Sequence, residues 1–132
     1  MSHSEQTQLA RQILDKAYAT PITIEQLSDE IALSPFYFIR LFRRIYKQTP
    51  RQYLIQLRIA KAKELLRHSD LSIIEICIAV GYESPASFST LFRKIAGISP
   101  SAYRTNSYPN QKPTYIPLCI CLSHGIEDEP QS

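Results

Sequence analysis

The chain has 132 residues, 44% of them apolar, with a formal charge of +3, enough for one ordinary domain or two very small ones sharing a core. Its three cysteines, Cys77, Cys119 and Cys121, are too few and too clustered for a disulfide framework, which favours a reducing compartment. The N-terminal stretch lacks the apolar run of a signal peptide, and no segment approaches the ~18 apolar residues of a membrane span, so no membrane is expected as a partner and a cytoplasmic protein is expected.

The charge is unevenly spread. From Ser34 to Arg67 there are nine Lys/Arg (Arg40, Arg43, Arg44, Lys47, Arg51, Arg58, Lys61, Lys63, Arg67) against one acid, Glu64. From Asn106 onward Lys112 stands alone against Glu127, Asp128 and Glu129. A basic body with an acidic tail suits a polyanionic partner.

In chain order, Glu5 to Tyr18 is predicted as a helix capped by Ser4, with Leu9, Ile13 and Ala17, and Leu14 and Tyr18, at four-residue spacing. Thr20-Pro21 ends it. Thr23 reads as an N-cap with Gln26 as capping-box partner, opening a short helix that buries Ile24, Leu27, Ser28 and Ile31 and ends near Ala32. After the turn Ala32-Leu33-Ser34, Ser34 caps the next helix and Pro35 takes its first position. Phe38, Leu41, Phe42 and Ile45 form its core face; Phe36, Arg40, Arg43 and Lys47 form another, flanked by Tyr37 and Arg44.

Pro50 to Arg67 reads as one unbroken helix capped by Thr49, roughly 25 Å long at ~1.5 Å per residue. Its expected apolar stripe is Tyr53, Leu57, Ala60 or Lys61, Leu65 and Leu66, with Arg51, Gln56, Lys63 and Arg67 opposite. His68-Ser69-Asp70 is a polar link. Ser72 and Glu75 form another capping box, and Ile73, Ile76, Cys77 and Val80 are the buried positions of a helix ended by Gly81. Ser84-Pro85 starts a helix with Phe88, Leu91, Phe92 and Ile95 as core and Gly97 at its end. Ser99-Pro100 starts a last short helix holding Tyr103 and Arg104.

The strongest signal is an internal repeat. Ser34-Pro35, Phe38, Leu41-Phe42-Arg43, Ile45, Pro50 and Tyr53 recur 50 residues later as Ser84-Pro85, Phe88, Leu91-Phe92-Arg93, Ile95, Pro100 and Tyr103. Upstream, Thr23, Ile24, Leu27, Ile31 and Ala32 correspond to Ser72, Ile73, Ile76, Val80 and Gly81, 49 residues on, so the second copy has one extra residue in its turn. Each copy is helix, tight turn, helix, the organisation whose second helix enters a DNA major groove.

The stretches LSPFYFIRLFRR, TPRQYLIQLRIAKAKELL, LSIIEICIAVGYESPASFSTLFRK and GISPSAYR resemble the AraC/XylS family of bacterial transcription regulators, from about Thr20 to Arg104, and the Glu5–Tyr18 helix fits the family's leading helix. The resemblance implies an all-α fold of about seven helices: two helix-turn-helix subdomains joined by a long linker helix, with an irregular C-terminal tail. The expected division is a leading helix over residues 1–20, the first helix-turn-helix over 21–49, the linker over 50–68, the second helix-turn-helix with its closing helix over 69–105, and a Pro-rich acidic tail over 106–132. Double-stranded DNA is the implied partner, with two recognition helices in successive major grooves. Transcription control, usually activation through RNA polymerase, is implied with it. Both reading units lie in one chain, so binding as a monomer is expected, with no cofactor and no small-molecule ligand. Only Met1–Thr23 precedes the DNA-binding part, so the expectation is either one of the family's short stand-alone members or a piece of a longer regulator, with the former favoured.

Carried over position by position, the recognition helices are Pro35–Tyr46 and Pro85–Ala96. Phe36, Tyr37, Ile39 and Arg40 stand where the family reads bases; Arg40 suits a bidentate contact to guanine and Phe36 a thymine methyl. Ser34, Arg43, Arg44 and Lys47 are placed for phosphates. In the second unit Pro85, Ala86, Ser89 and Thr90 hold the reading positions, and Ser84, Arg93 and Lys94 the phosphate positions. Several family members have Arg where Thr90 stands, so the first unit is expected to dominate base reading. Ala32 stands where the family often has Gly. Cys77 is expected as a buried small apolar residue, and Arg58 as a structural residue with its head bonded to backbone or an acid.

In the tail, Tyr115 to Leu122 is apolar enough for a strip packed on the domain. Cys119, Cys121 and His124 could supply three metal ligands, but no fourth is evident and no metal is expected. A protein-interaction adaptor that has lost DNA binding is the alternative function; the basic face of Phe36–Lys47 argues against it. An enzyme is not expected: no cysteine is flanked by a base, and His3, His68 and His124 lie in linkers or ends.

Overall fold

The computed structural model describes residues 2–107. Seven helices follow one another: α1 (His3–Ala17), α2 (Ile24–Glu30), α3 (Pro35–Tyr46), α4 (Pro50–His68), α5 (Ile73–Ala79), α6 (Pro85–Ala96) and α7 (Pro100–Ser107). No strand occurs among the described residues. The apolar strip expected at Tyr115–Leu122 and the trio Cys119, Cys121 and His124 lie outside them, as does most of the expected tail.

The helix starts follow local chemistry. Thr23, Thr49 and Ser72 each form a capping box, with Gln26, Gln52 and Glu75. Ser34, Ser84 and Ser99 accept from the backbone N–H three residues on, each with a proline at the first helical position. One expected cap is corrected. Ser2, not Ser4, caps α1: its hydroxyl accepts from Glu5 N–H at 3.2 Å, while the Glu5 carboxylate accepts from Ser2 N–H at 2.8 Å. Glu5 is three residues beyond Ser2, the spacing a capping box requires, and Ser4 falls inside the first turn.

The chain divides into two compact units, one made of the residues up to Lys61 together with Ile78–Tyr82, the other of Ala62–Cys77 and the residues from Glu83. The first unit is built around Ala10, Leu14, Leu27, Ile31, Phe38 and Phe42. The face that α1 buries is Gln6, Thr7, Ala10 and Leu14; the expected Leu9 and Ile13 sit half-buried at its rim. Small side chains at Thr7 and Ala10 let α2 and α3 come close to α1, and Gln6 Nε2 donates to the Ile31 carbonyl at 2.7 Å. In α3 the core residues are Phe38, Leu41 and Phe42, but Ile45 is 40% exposed, contrary to expectation. Tyr46 takes its place: its ring lies 4.6 Å from that of Phe42, extending the Phe38–Phe42 row by one turn.

The second unit buries Ala62, Leu66, Ile76, Cys77, Phe88 and Phe92. It reproduces the aromatic packing of the first. Phe42 meets Tyr53 edge-on at 5.8 Å, and Phe92 meets Tyr103 edge-on at 5.6 Å. Phe38–Phe42 and Phe88–Phe92 are spaced 5.7 and 5.8 Å. The sequence repeat is therefore a repeat of side-chain geometry.

Of the apolar stripe expected on α4, only Leu66 is fully buried. Ile59, Ala62 and Leu66 are buried, whereas Tyr53, Leu57 and Leu65 are half-buried and Ala60 is exposed. The cause is that α4 serves two cores. Tyr53 and Leu54 pack on the first, and Ala62 and Leu66 belong to the second.

Two arginine forks tie loops to helix ends. Arg58 Nε donates to the Tyr18 carbonyl at 2.6 Å and Nη2 to the Thr20 carbonyl at 2.9 Å, just past α1. Arg104 Nε and Nη2 donate to the Leu66 and Ser69 carbonyls, each at 3.1 Å, closing the end of α4. The Tyr18 and Leu66 carbonyls lie at helix ends without an intrahelical partner, whereas those of Thr20 and Ser69 lie in the loops that follow. The turns repeat as well. Ala32 and Gly81 have φ of 59° and 101°, and Lys47 and Gly97 have φ of 65° and 89°. The first copy thus places a side chain at both left-handed positions where the second has glycine.

Candidate nucleic-acid interface

In each unit one helix carries core residues on one side and leaves its start and an outer edge to solvent. On α3, Phe38, Leu41 and Phe42 are buried, while Ser34, Phe36, Tyr37, Arg40, Arg43, Arg44 and Lys47 are exposed and Ile39 is half-buried. On α6, Phe88 and Phe92 are buried; Ser84, Pro85, Ala86, Thr90, Arg93 and Lys94 are exposed, and Ser89 is half-buried. Ile39 and Ser89, which correspond across the repeat, are the deepest-set of the candidate readers.

Neither helix contains an acidic residue, and each ends with two bases, Arg43 and Arg44 or Arg93 and Lys94. At the start, backbone N–H groups and the positive end of the helix dipole face solvent beside Ser34 and Ser84. The whole exposed edge is therefore favourable to an anion.

Some candidates touch one another. The Arg40 guanidinium carbon lies 5.7 Å from the Phe36 ring centroid, a cation–π pair four residues apart on the outer edge of α3. Phe36 is 72% exposed, the most exposed large apolar side chain described. Tyr37, 37% exposed, turns toward α1: its hydroxyl is 3.0 Å from His3 Nδ1, and the two rings meet edge-on at 5.2 Å. His3 thus holds Tyr37, a role local sequence patterns could not reveal, because the partners are 34 residues apart and His3 sits at the first residue of α1. Pro85, Ala86 and Thr90 occupy their stretch of α6 with small side chains.

Other ionisable groups serve the cores. Tyr53 donates to the Asp15 carboxylate, and burial followed by that hydrogen bond pushes the phenol up to about 12. Burial, with Arg67 adding repulsion, lowers the Lys63 ammonium below its usual range; its head lies 5.9 Å from the Tyr103 ring centroid. Cys77 is buried, and burial raises its thiol pKa. No cluster of His, Cys, Asp or Glu fit to hold a metal occurs among the described residues. No helix among them is long and apolar enough to cross a membrane.

Two copies of helix, tight turn and helix, each presenting the start of its second helix, define a helix-turn-helix protein. A family model described as "Helix-turn-helix domain" matches residues 27–106. The MmsAB operon regulatory protein of Pseudomonas aeruginosa is 41% identical over 83 residues, which cover 63% of this chain and 27% of that protein. The bifunctional transcriptional activator/DNA repair enzyme AdaA of Bacillus subtilis is 34% identical over 107 residues, 81% of this chain and 51% of that protein. The chain therefore spans between a quarter and about half of these curated relatives. Among solved structures, the C-terminal domain of the two-component response regulator yesN from Fusobacterium nucleatum is 33% identical with a TM-score of 0.73, covering 78% of this chain and 99% of that one. The DNA-binding domain of AdpA, solved in complex with a target DNA, is 29% identical with a TM-score of 0.75, covering 83% and 97%. The chain belongs to the AraC-type helix-turn-helix family. These relatives are mainly transcription regulators, and they lend the adaptor alternative no support.

Proposed function

We propose that the chain is a sequence-specific double-stranded DNA-binding transcription regulator, with α3 and α6 as recognition helices in successive major grooves. The observation that carries this reading is the exposed, acid-free outer edge of α3, running from Phe36 through Arg40 and Arg43 to Lys47, in a fold shared with a domain solved on its target DNA. On this reading Phe36, Tyr37, Ile39 and Arg40 face base edges, and Ser34, Arg43, Arg44 and Lys47 hold phosphates. Pro85, Ala86, Ser89 and Thr90 face bases in the second groove, with Ser84, Arg93 and Lys94 on its phosphates. The linker α4 has 19 residues, about 28 Å at ~1.5 Å each, comparable with the ~34 Å of one duplex turn. The expected division into two reading units about that helix rests on the same comparison.

Base reading is weighted to the first unit. A bidentate arginine–guanine pair discriminates by about 1–3 kcal/mol, whereas Ala86, Ser89 and Thr90 offer at most methyl contacts and single hydrogen bonds. Activation through RNA polymerase and binding as a monomer belong to the same proposal. A catalytic role is not part of it: a buried thiol with a raised pKa is a poor nucleophile, and Cys77 is the one cysteine among the described residues.

Selection of bound duplexes from a random pool tests the reading. Enrichment of two sequence blocks about one turn apart, ~10 bp, is expected. Arg40→Ala should weaken binding to the selected site about 5- to 150-fold, and Ser89→Ala much less. Arg43→Gln should weaken all duplexes alike and reduce the slope of log affinity against log salt by about 0.9. Unchanged affinity in Arg40→Ala with loss in Ser89→Ala would reverse the assignment of the two units.

A further inference from the structure

We infer that the outer face of α5, carried by Ile74 and Ile78, is a docking surface for a partner protein's helix that brings aliphatic side chains flanked by Lys or Arg. The two side chains are 57% and 62% exposed, one turn apart on a single continuous helix. Ile76 and Cys77 of α5 fill the core, and only Glu75 among its residues carries charge. A helix apolar on its outer side as well is ordinarily covered. The repeat shows that this outer side is not needed for folding. Ile74 and Ile78 correspond to Glu25 and Asp29 of α2, 49 residues earlier, and both of those acids are exposed. The first copy thus gives carboxylates to water where the second gives two β-branched aliphatic side chains, whose removal from water is favourable.

The charges flanking this pair in the chain select the occupant. From His68 to Phe92 there is no Lys or Arg, and Asp70, Glu75 and Glu83 are exposed. A second copy offering the same face would set these carboxylates against one another. The chain beyond Leu122 carries Glu127, Asp128 and Glu129, again the wrong sign. A nucleic-acid backbone is repelled for the same reason. A segment whose aliphatic residues cover Ile74 and Ile78, and whose Lys or Arg residues meet the carboxylates, is complementary in both respects. Because the two isoleucines stand four residues apart, an amphipathic helix with aliphatic residues at three- or four-residue spacing matches them. On the DNA-binding reading above, the acid-free edges of α3 and α6 take the duplex, and the acid-flanked face of α5 is left to protein; the docking surface itself does not depend on that reading.

The test screens the intact chain against a displayed library of random helical peptides. Enriched peptides should pair aliphatic residues three or four apart with Lys or Arg and carry net positive charge. Ile74→Glu combined with Ile78→Asp installs the residues of the first copy, and it should weaken the selected peptide at least about tenfold, the loss expected on removing interface anchors. Ile74→Gln combined with Ile78→Gln removes the apolar contact without adding charge and should cost about as much. Asp70→Asn combined with Glu83→Gln should weaken the peptide severalfold at low salt and little at high salt. All four positions are exposed, so circular dichroism of the variants should match that of the parent chain. Failure to enrich any peptide, enrichment of acidic peptides, or equal affinity in the parent and both isoleucine variants would overturn the inference. So would self-association of the parent in sedimentation velocity that the variants lose, which would assign the face to a second copy. Loss of selected-duplex binding in the folded glutamine variant would assign it to DNA and overturn the inference as well. Failure of the duplex pool to enrich any sequence would refute DNA reading and leave the peptide result standing.

Discussion

Gly81 and Gly97 form a natural pair for separating backbone strain from steric crowding. Both have φ in the left-handed region, 101° and 89°, where any side chain costs about 1–2 kcal/mol. Their surroundings differ. A Cβ at Gly97 would meet nothing within 4 Å, whereas one at Gly81 would lie 2.8 Å from the Tyr18 carbonyl oxygen, 3.1 Å from Ala19 Cα and 3.1 Å from Arg58 Cζ. Two of those three neighbours are backbone atoms, and the third is a guanidinium held by hydrogen bonds to Tyr18 and Thr20. They cannot move aside without breaking the fork, so an overpacking cost of about 1–3 kcal/mol adds to the strain. Gly97→Ala is expected to destabilise by about 1–2 kcal/mol and Gly81→Ala by roughly 2–5 kcal/mol. Equilibrium urea unfolding followed by far-ultraviolet circular dichroism measures both. Equal losses in the two variants would refute the close approach of Gly81 to the Tyr18 carbonyl.

Ala32 holds at φ 59° the conformation that glycine holds at Gly81, so Ala32→Gly should stabilise the chain by up to about 1 kcal/mol, seen as a higher unfolding midpoint. Arg58→Met removes two charge-assisted hydrogen bonds to carbonyls past α1 and should destabilise by about 2–4 kcal/mol. Arg58→Lys should recover little of this, because an ammonium cannot span both oxygens; full recovery would show that charge alone suffices. Tyr53 has a phenol raised from 10.0 to about 12 when folded, so its neutral form is the one folding favours. Its contribution is complete below pH 10 and is lost as pH rises from there toward 12. The difference in unfolding free energy between the parent chain and Tyr53→Phe should shrink across that window, and a constant difference would exclude the linkage.

Much of the architecture was legible from capping chemistry. Serine or threonine followed three residues later by glutamine or glutamate, or directly by proline, marked the starts of α2 to α7, and these starts are local agreements between a side chain and the next turn. The phenylalanine rows of α3 and α6 were equally plain, since large rings at four-residue spacing have few alternatives to burial. Legibility ended where burial depends on a partner. Ile45 reads as core by spacing, yet Tyr46 supplies the ring that caps the Phe42 row, and only packing reveals it. The stripe on α4 failed for a related reason: periodicity assumes one core, and this helix packs against a different one at each end.

At the candidate interface the candidate readers of α3 and α6 were named from sequence, with the help of the repeat and of the family resemblance. What no pattern contained were the contacts that hold them: the Phe36 ring against Arg40, and His3 reaching Tyr37 across 34 residues. Sequence by itself determined the repeat, the starts of α2 to α7 and the sign of the exposed edge, because each depends on neighbours within about one turn. The tertiary structure decided which apolar residues are covered, which carbonyls Arg58 and Arg104 satisfy, and why Gly81 has no room for a side chain. Those outcomes depend on distances between segments tens of residues apart, which are fixed only when the cores close.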